Sequence, residues 1–198
     1  MDTKKFCRFS EEEIKAVLKG RMNEHRFEHS LNVAERAIFL AEKYGADPEK
    51  AGFAGLIHDV CKGIPNTEQL EIIKNEGIVL DEDTLASPAL WHSIAGAVYS
   101  EHELGVSDED VLNAIRYHTS GRGGMSILEK VVYMADLTSS ERNYPDARYT
   151  RDLTDYSLDE GIAYGVRWIA GDLERRGFPK GKDTEALLEE YKNVIITE

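Results

Sequence analysis

Apolar residues recur along this chain at intervals of three and four, and period-two alternation is nearly absent. That pattern predicts helices from end to end. Ser10 followed by Glu13 reads as a capping box, and Gly20 follows the short first helix. A second helix is predicted from about Met22 to Tyr44, with Phe27, Leu31, Ala34, Ile38 and Ala41 at helical spacing and Gly45 as its stop. Asp47-Pro48 is an N-cap followed by proline at the first helical position. The helix it starts carries Ala51, Ala54, Ile57 and His58 and ends near Lys62-Gly63.

Past Pro65 a short helix is predicted over about Thr67–Asn75, then a loop over 77–87. A helix from near Pro88 to Gly105 holds Trp91, His92, Ala95 and Val98, and Ser107 with Asp110 caps the next, which carries Val111, Ile115 and His118. Gly121, Gly123 and Gly124 make 120–124 a loop, expected to be mobile. Ser126 with Glu129 is a further capping box ahead of Leu128, Val131, Val132 and Ala135. The polar stretch 137–156 is expected to be a long loop. Ser157 with Glu160 opens a long helix to about Arg176, and a terminal helix follows Asp183. No repeat or linker interrupts the chain, so one all-α domain over 1–198 is expected.

Composition narrows the function. A formal net charge of −13 argues against DNA, RNA or an anionic membrane as partner. A small polyanionic substrate stays open, provided a metal or clustered Lys and Arg offset the acidic surroundings. Cys7 and Cys61 are far apart and do not make a disulfide scaffold. Met1–Phe9 has no apolar signal core, and no apolar run approaches the ~18 residues of a membrane span. A cytoplasmic protein is expected.

His29, His58, Asp59 and Asp136 carry the candidate chemistry. Each falls on a helix at an inward position, and imidazole with carboxylate is a donor set for a transition metal. Two histidines and two aspartates leave positions open for water and substrate, as a catalytic metal requires. A lone histidine on an apolar face is usually just buried. Here His29, His58, His92 and His118, four of the chain's six histidines, fall on separate helices, and a bundle builds metal sites by converging side chains. His25 precedes His29 by one turn, but Arg26 stands where an HExxH motif needs glutamate, so His25 is read as peripheral. His102, between two glutamates, reads as solvated surface.

Taken in order, Arg26-Phe27-Glu28-His29-Ser30-Leu31-Asn32-Val33, His58-Asp59-Val60-Cys61-Lys62, Trp91-His92-Ser93, Tyr117-His118-Thr119-Ser120-Gly121-Arg122 and Glu129–Asp136 resemble the HD-domain superfamily of metal-dependent phosphohydrolases. Within it they are similar to the YqeK-type subfamily of symmetrical bis(5′-nucleosyl)-tetraphosphatases, over about residues 20–190. The resemblance implies an HD-type helical bundle and cleavage of diadenosine tetraphosphate to two ADP. It implies a divalent metal on His29, His58, Asp59 and Asp136: iron first, with manganese, cobalt and zinc also suited to the set. Asn32 stands where the pattern has glycine, a departure expected to leave the ligands untouched.

Arg26, Lys62 and Arg142 are then expected to meet phosphate, with Thr119 beside them. His92 and His118 either hold a second ion bridged by Asp59 or, the favoured reading, contact phosphate and protonate the leaving group. Asp59, His92 and His118 are the expected catalytic residues. Phe178–Lys182 is either a nucleoside contact or a plain turn. The partner is a small nucleotide, and a homodimer is compatible with the sequence. Another HD nucleotide phosphohydrolase or phosphodiesterase, or a non-catalytic nucleotide-binding protein, are the competing readings. The complete set of four donors speaks against the last.

Overall fold

The computed structural model describes residues 1–197. Eleven α-helices form, joined by turns and two short 3₁₀ segments, with no strand among the described residues. They are α1 (Glu11–Arg21), α2 (Glu24–Tyr44), α3 (Pro48–Ile57), α4 (Asn66–Asn75), α5 (Glu82–Leu85), α6 (Trp91–His102), α7 (Glu109–Tyr117), α8 (Ile127–Thr138), α9 (Ala147–Tyr156), α10 (Leu158–Arg175) and α11 (Lys182–Glu190).

The helix starts follow their caps. Both capping boxes form, at Ser10 with Glu13 and at Ser126 with Glu129. Each satisfies backbone donors that would otherwise be orphaned, an effect of about 1 kcal/mol. Asp47 caps α3 through two backbone N–H groups, Ser157 caps α10, and Gly45 ends α2 in the left-handed conformation at φ 80°. Asp108, not Ser107, caps α7.

α2 packs most extensively against α3, and next against α8. α3 is buried all round, from Ala51 to Ile57, so it has no polar face to show. At Gly55 a Cβ would stand only 3.1 Å from the Ala34 Cα and the Val33 carbonyl of α2, so glycine is what lets the two helices approach there. α8 is sheathed on several sides, with Leu128, Val131, Val132, Tyr133, Met134 and Ala135 all buried.

Several boundaries differ from the expectation. α3 stops at Ile57, and 58–63 form turns rather than a last helical stretch. Within 77–87 the one-turn helix α5 forms, capped by Asp81, and its Thr84 carbonyl accepts the Trp91 indole N–H at 2.9 Å. The largest correction is in 137–156. The expected long loop contains α9, whose buried face is Ala147, Thr150, Leu153 and Thr154. Three small or hydroxylated residues and one leucine gave too weak an apolar stripe to recognise. α9 also supports the preceding turn: Arg151 donates to the carbonyls of Thr138 at 2.9 Å and Ser139 at 2.7 Å, satisfying the end of α8.

Candidate functional site

The His58-Asp59 dipeptide owes its placement to the turn that ends α3. His58 follows the last helical residue with helical φ and ψ, and its Nδ1 donates to the Gly55 carbonyl at 2.7 Å. Tight hydrogen bonds from Val60 N to the Ile57 carbonyl and from Lys62 N to the Asp59 carbonyl keep the chain coiled, so Lys62 stays beside the pair. His118 repeats the device after α7, its Nδ1 donating to the Ile115 carbonyl at 2.7 Å. His29 lies within α2, His92 is the second residue of α6, and Asp136 lies in the last turn of α8.

These side chains meet. His29 Nε2 is 3.0 Å from Asp136 Oδ1 and 3.8 Å from Asp59 Oδ2. His58 Nε2 is 3.5 Å from Asp59 Oδ2 and 3.9 Å from Asp136 Oδ1. The other oxygen of Asp59, Oδ1, faces His92 Nε2 at 3.2 Å and His118 Nε2 at 3.5 Å. His29, His58, Asp59, His92 and His118 are all buried. Asp59 thus stands between two groups of imidazoles. His118 also belongs with His58 and Asp136 in one group of donors, closer to the expected ligands than its sequence position suggested.

The charges are shaped by this packing. Burial opposes ionisation of Asp59, but the rings of His58, His118 and His92 hold its carboxyl well below the usual range. Burial likewise opposes ionisation of Asp136, and the Arg142 guanidinium with His29 holds it low. Burial works against a charged His29, yet hydrogen bonds to Asp136 and Glu141 outweigh it and raise its pKa. On the other side, burial brings the His92 imidazole down to about 4 despite Asp59, helped by the nearby His118 and Lys62. Lys62 is lowered by burial and by Arg26, with Asp59 opposing.

The donor set fits a divalent metal. Nδ1 of His58 and His118 is committed to a backbone carbonyl and Nδ1 of His29 to a carboxylate, so each Nε2 faces the cluster as a potential donor. His58 Nε2 is buried with no hydrogen-bond partner while carboxylate oxygens surround it. A lone pair facing anions is unfavourable unless a cation sits between them. Donors each about 2.1 Å from one ion stand roughly 3.0–3.5 Å apart, close to the separations found here.

Every expected substrate contact borders this cluster. Arg26 Nη1 donates to Asp59 Oδ2 at 2.9 Å, and Arg142 pairs with Asp136. Lys62 Nζ is 3.2 Å from His92 Nδ1, and Thr119 Oγ1 is 3.2 Å from His92 Nε2. Thr119 also lines a mainly apolar cavity of about 270 Å³, bounded by Leu90, Ile169, Leu173, Phe178 and Lys180. His25 and His102 stay outside, both exposed, His102 bonded to Glu76 at 2.8 Å.

The sequence reading missed two participants. Glu141, on the turn after α8, is 2.5 Å from His29 Nδ1. Asn32 donates to Glu141 at 2.8 Å, so the departure at position 32 does touch a candidate ligand, through one intermediary. Asn32 could have been suspected, since it lies one turn beyond His29 on the same face. Glu141 carried no such signal: it lay in the stretch read as a long polar loop, where only Arg142 beside it was singled out. The 120–124 loop is also more constrained than expected: Arg122 grips Glu129 with two bonds, and Thr184 holds the Ser120 carbonyl at 3.0 Å.

The HD domain family model matches residues 26–141, and the chain belongs to that family. It is 40% identical to the symmetrical bis(5′-nucleosyl)-tetraphosphatase of Bacillus subtilis (strain 168), over 87% of this chain and 92% of that protein. It is 38% identical to the protein of the same name from Halalkalibacterium halodurans, over 86% and 90%. A crystal structure from Clostridium acetobutylicum, described as a predicted HD superfamily hydrolase involved in NAD metabolism, superposes with a TM-score of 0.90 at 33% identity. The match covers 93% of this chain and 97% of that one.

Proposed function

We propose that this HD-domain protein is a hydrolase that splits bis(5′-nucleosyl) tetraphosphates symmetrically, turning diadenosine tetraphosphate and water into two ADP. The observation that carries the reading is the convergence of His29, His58, Asp59 and Asp136 with three cations, Arg26, Lys62 and Arg142, on one buried centre. Relatives named for this reaction align along most of the chain.

His29, His58, Asp59 and Asp136 would hold the divalent ion, iron by preference. When bound, such an ion acidifies water and offsets phosphoryl charge. The protein's own residues do the rest. The tetraphosphate carries about four negative charges, and Arg26, Lys62 and Arg142 receive it, the arginines by their forked guanidinium groups. Both arginines are paired with Asp59 and Asp136 here, so the phosphate competes with those carboxylates for them. Thr119 adds a hydroxyl. Held this way, an inner phosphorus is presented to water in line with the central bridge, and positioned charge stabilises the transition state. The bond from that phosphorus to the central bridging oxygen breaks as the water oxygen bonds to it. The proton that the attacking water gives up passes, relayed by Nε2 of His118 or His92, to the departing nucleoside diphosphate. Phe178 and Lys180 border the cavity beside Thr119, which suits one nucleoside end. The reaction is assigned to the cytoplasm.

Product analysis tests the reading. Metal-loaded protein with diadenosine tetraphosphate should give ADP as the sole nucleotide product. AMP plus ATP would mean an asymmetric cut, and no turnover after verified metal loading would leave a nucleotide-binding protein instead.

A further inference from the structure

We propose that Asn32 and Glu141 act as a positioning pair for His29, fixing its Nδ1 proton and ring plane so that Nε2 is presented to the divalent ion. The inference rests on the metal reading above. Glu141 is held at three points. Its Oε1 accepts from His29 Nδ1 at 2.5 Å and from Ser139 Oγ at 2.7 Å, and its Oε2 accepts from Asn32 Nδ2 at 2.8 Å. The Ser139 and Asn32 bonds reach different oxygens from different elements, one from the turn after α8 and one from α2, so the carboxylate cannot turn away without breaking one of them.

The consequence for His29 is chemical as well as geometric. The Nδ1 groups of His58 and His118 face neutral backbone carbonyls. That of His29 faces a full negative charge, and a carboxylate on the far nitrogen strengthens an imidazole as a donor. Charge-assisted bonds are also shorter and stronger than neutral ones. Glu141 is partly exposed, with 28% of its side chain accessible, so a free carboxylate there could swing out into water. Asn32 prevents this, by a contact that the glycine of the resembling pattern cannot make. Asn32 is therefore a residue of this chain's own that reaches the metal centre through two hydrogen bonds.

Competition between metal-stripped protein and a chromophoric chelator for Co²⁺ tests the pair. Glu141→Ala should bind Co²⁺ about 10–100-fold more weakly than wild type, with Glu141→Gln between the two. Asn32→Gly should show a loss of a few fold that vanishes in the Glu141→Ala background, because Asn32 acts only through Glu141. Melting temperatures of the metal-free variants, measured alongside, should stay close to wild type. Should Glu141→Ala fail to fold, Glu141→Gln and Asn32→Gly carry the same comparison. Unchanged Co²⁺ affinity in the Glu141 variants, fully additive losses in the double variant, or a melting change with no affinity change would each overturn the proposal. Wild-type protein that takes up no Co²⁺ would overturn the metal reading itself, a result no variant is needed to see.

Discussion

His29 and His92 face the two oxygens of one carboxylate, Asp59, and the groups behind them differ. Behind His29 stands Glu141, and beside His92 stands the Lys62 ammonium. Both rings are buried to a similar degree. Yet the pKa of one is raised and that of the other is brought down to about 4. Burial disfavours the charged form of both: at His29 the carboxylates of Asp136 and Glu141 outweigh it, whereas at His92 Asp59 does not, and His118 and Lys62 add to it. The His29 side gathers Asp59, Asp136 and Glu141, with Arg26 and Arg142 paired to the first two. The His92 side, with Lys62 and Thr119, is built to receive an anion.

Removing the shared carboxylate should collapse the distinction. Asp59→Ala is expected to lower kcat/KM on the order of 10³-fold or more, equivalent to about 4 kcal/mol, and to strip the metal. Wild-type turnover in this variant, or in protein shown to be metal-free by elemental analysis, would defeat the mechanism.

The next test separates phosphate binding from metal binding. Lys62→Ala and Arg26→Ala should each lower kcat/KM by about 10–100-fold, the scale of one lost charged phosphate contact, with metal content unchanged. Metal loss in either variant would make that residue part of the metal site instead. A smaller effect is expected from His118→Ala, roughly tenfold in kcat, since water can replace a proton donor to a diphosphate leaving group. Full activity there would remove His118 from the reaction.

The mildest test is titration of metal-stripped protein by NMR. His29 should hold its proton above pH 6.5 and His92 should stay neutral until near pH 4. The signs follow by linkage. The raised pKa of His29 gives stability that is complete below the unfolded value and is lost as pH rises through the folded one. The lowered pKa of His92 gives stability present above the unfolded value and lost as pH falls toward 4. Titration of both rings together near 6.5 would erase the contrast.

Much of this was legible in the chain. Ser10, Asp47, Ser126 and Ser157 start helices by the backbone bonds their side chains accept, which is local chemistry. His58-Asp59 stood out because an imidazole and a carboxylate side by side in an apolar stretch need a reason to be buried. α9 was hidden because its inner face is built from Ala147, Thr150 and Thr154 as much as from Leu153. Glu141 was hidden with it. Its bond to His29 joins residues 112 positions apart across the turn that Arg151 of α9 secures, and nothing local announces such a contact. Arg142, next to Glu141 on the same turn, was singled out by the resemblance, whereas no motif marks Glu141 itself.

Gly55 ties the centre to the body of the protein. Its missing side chain sets the spacing of α2 and α3, and its carbonyl orients His58 across from His29. An ion shared by those two histidines would therefore clamp the same pair of helices that the glycine brings together. Such coupling runs both ways: each tenfold of affinity adds about 1.4 kcal/mol to the folded state at fixed ion excess, and any loosening of the helix pair is repaid as weaker affinity. A methyl group at position 55 would then be felt first in metal retention, well before the chain loses its shape.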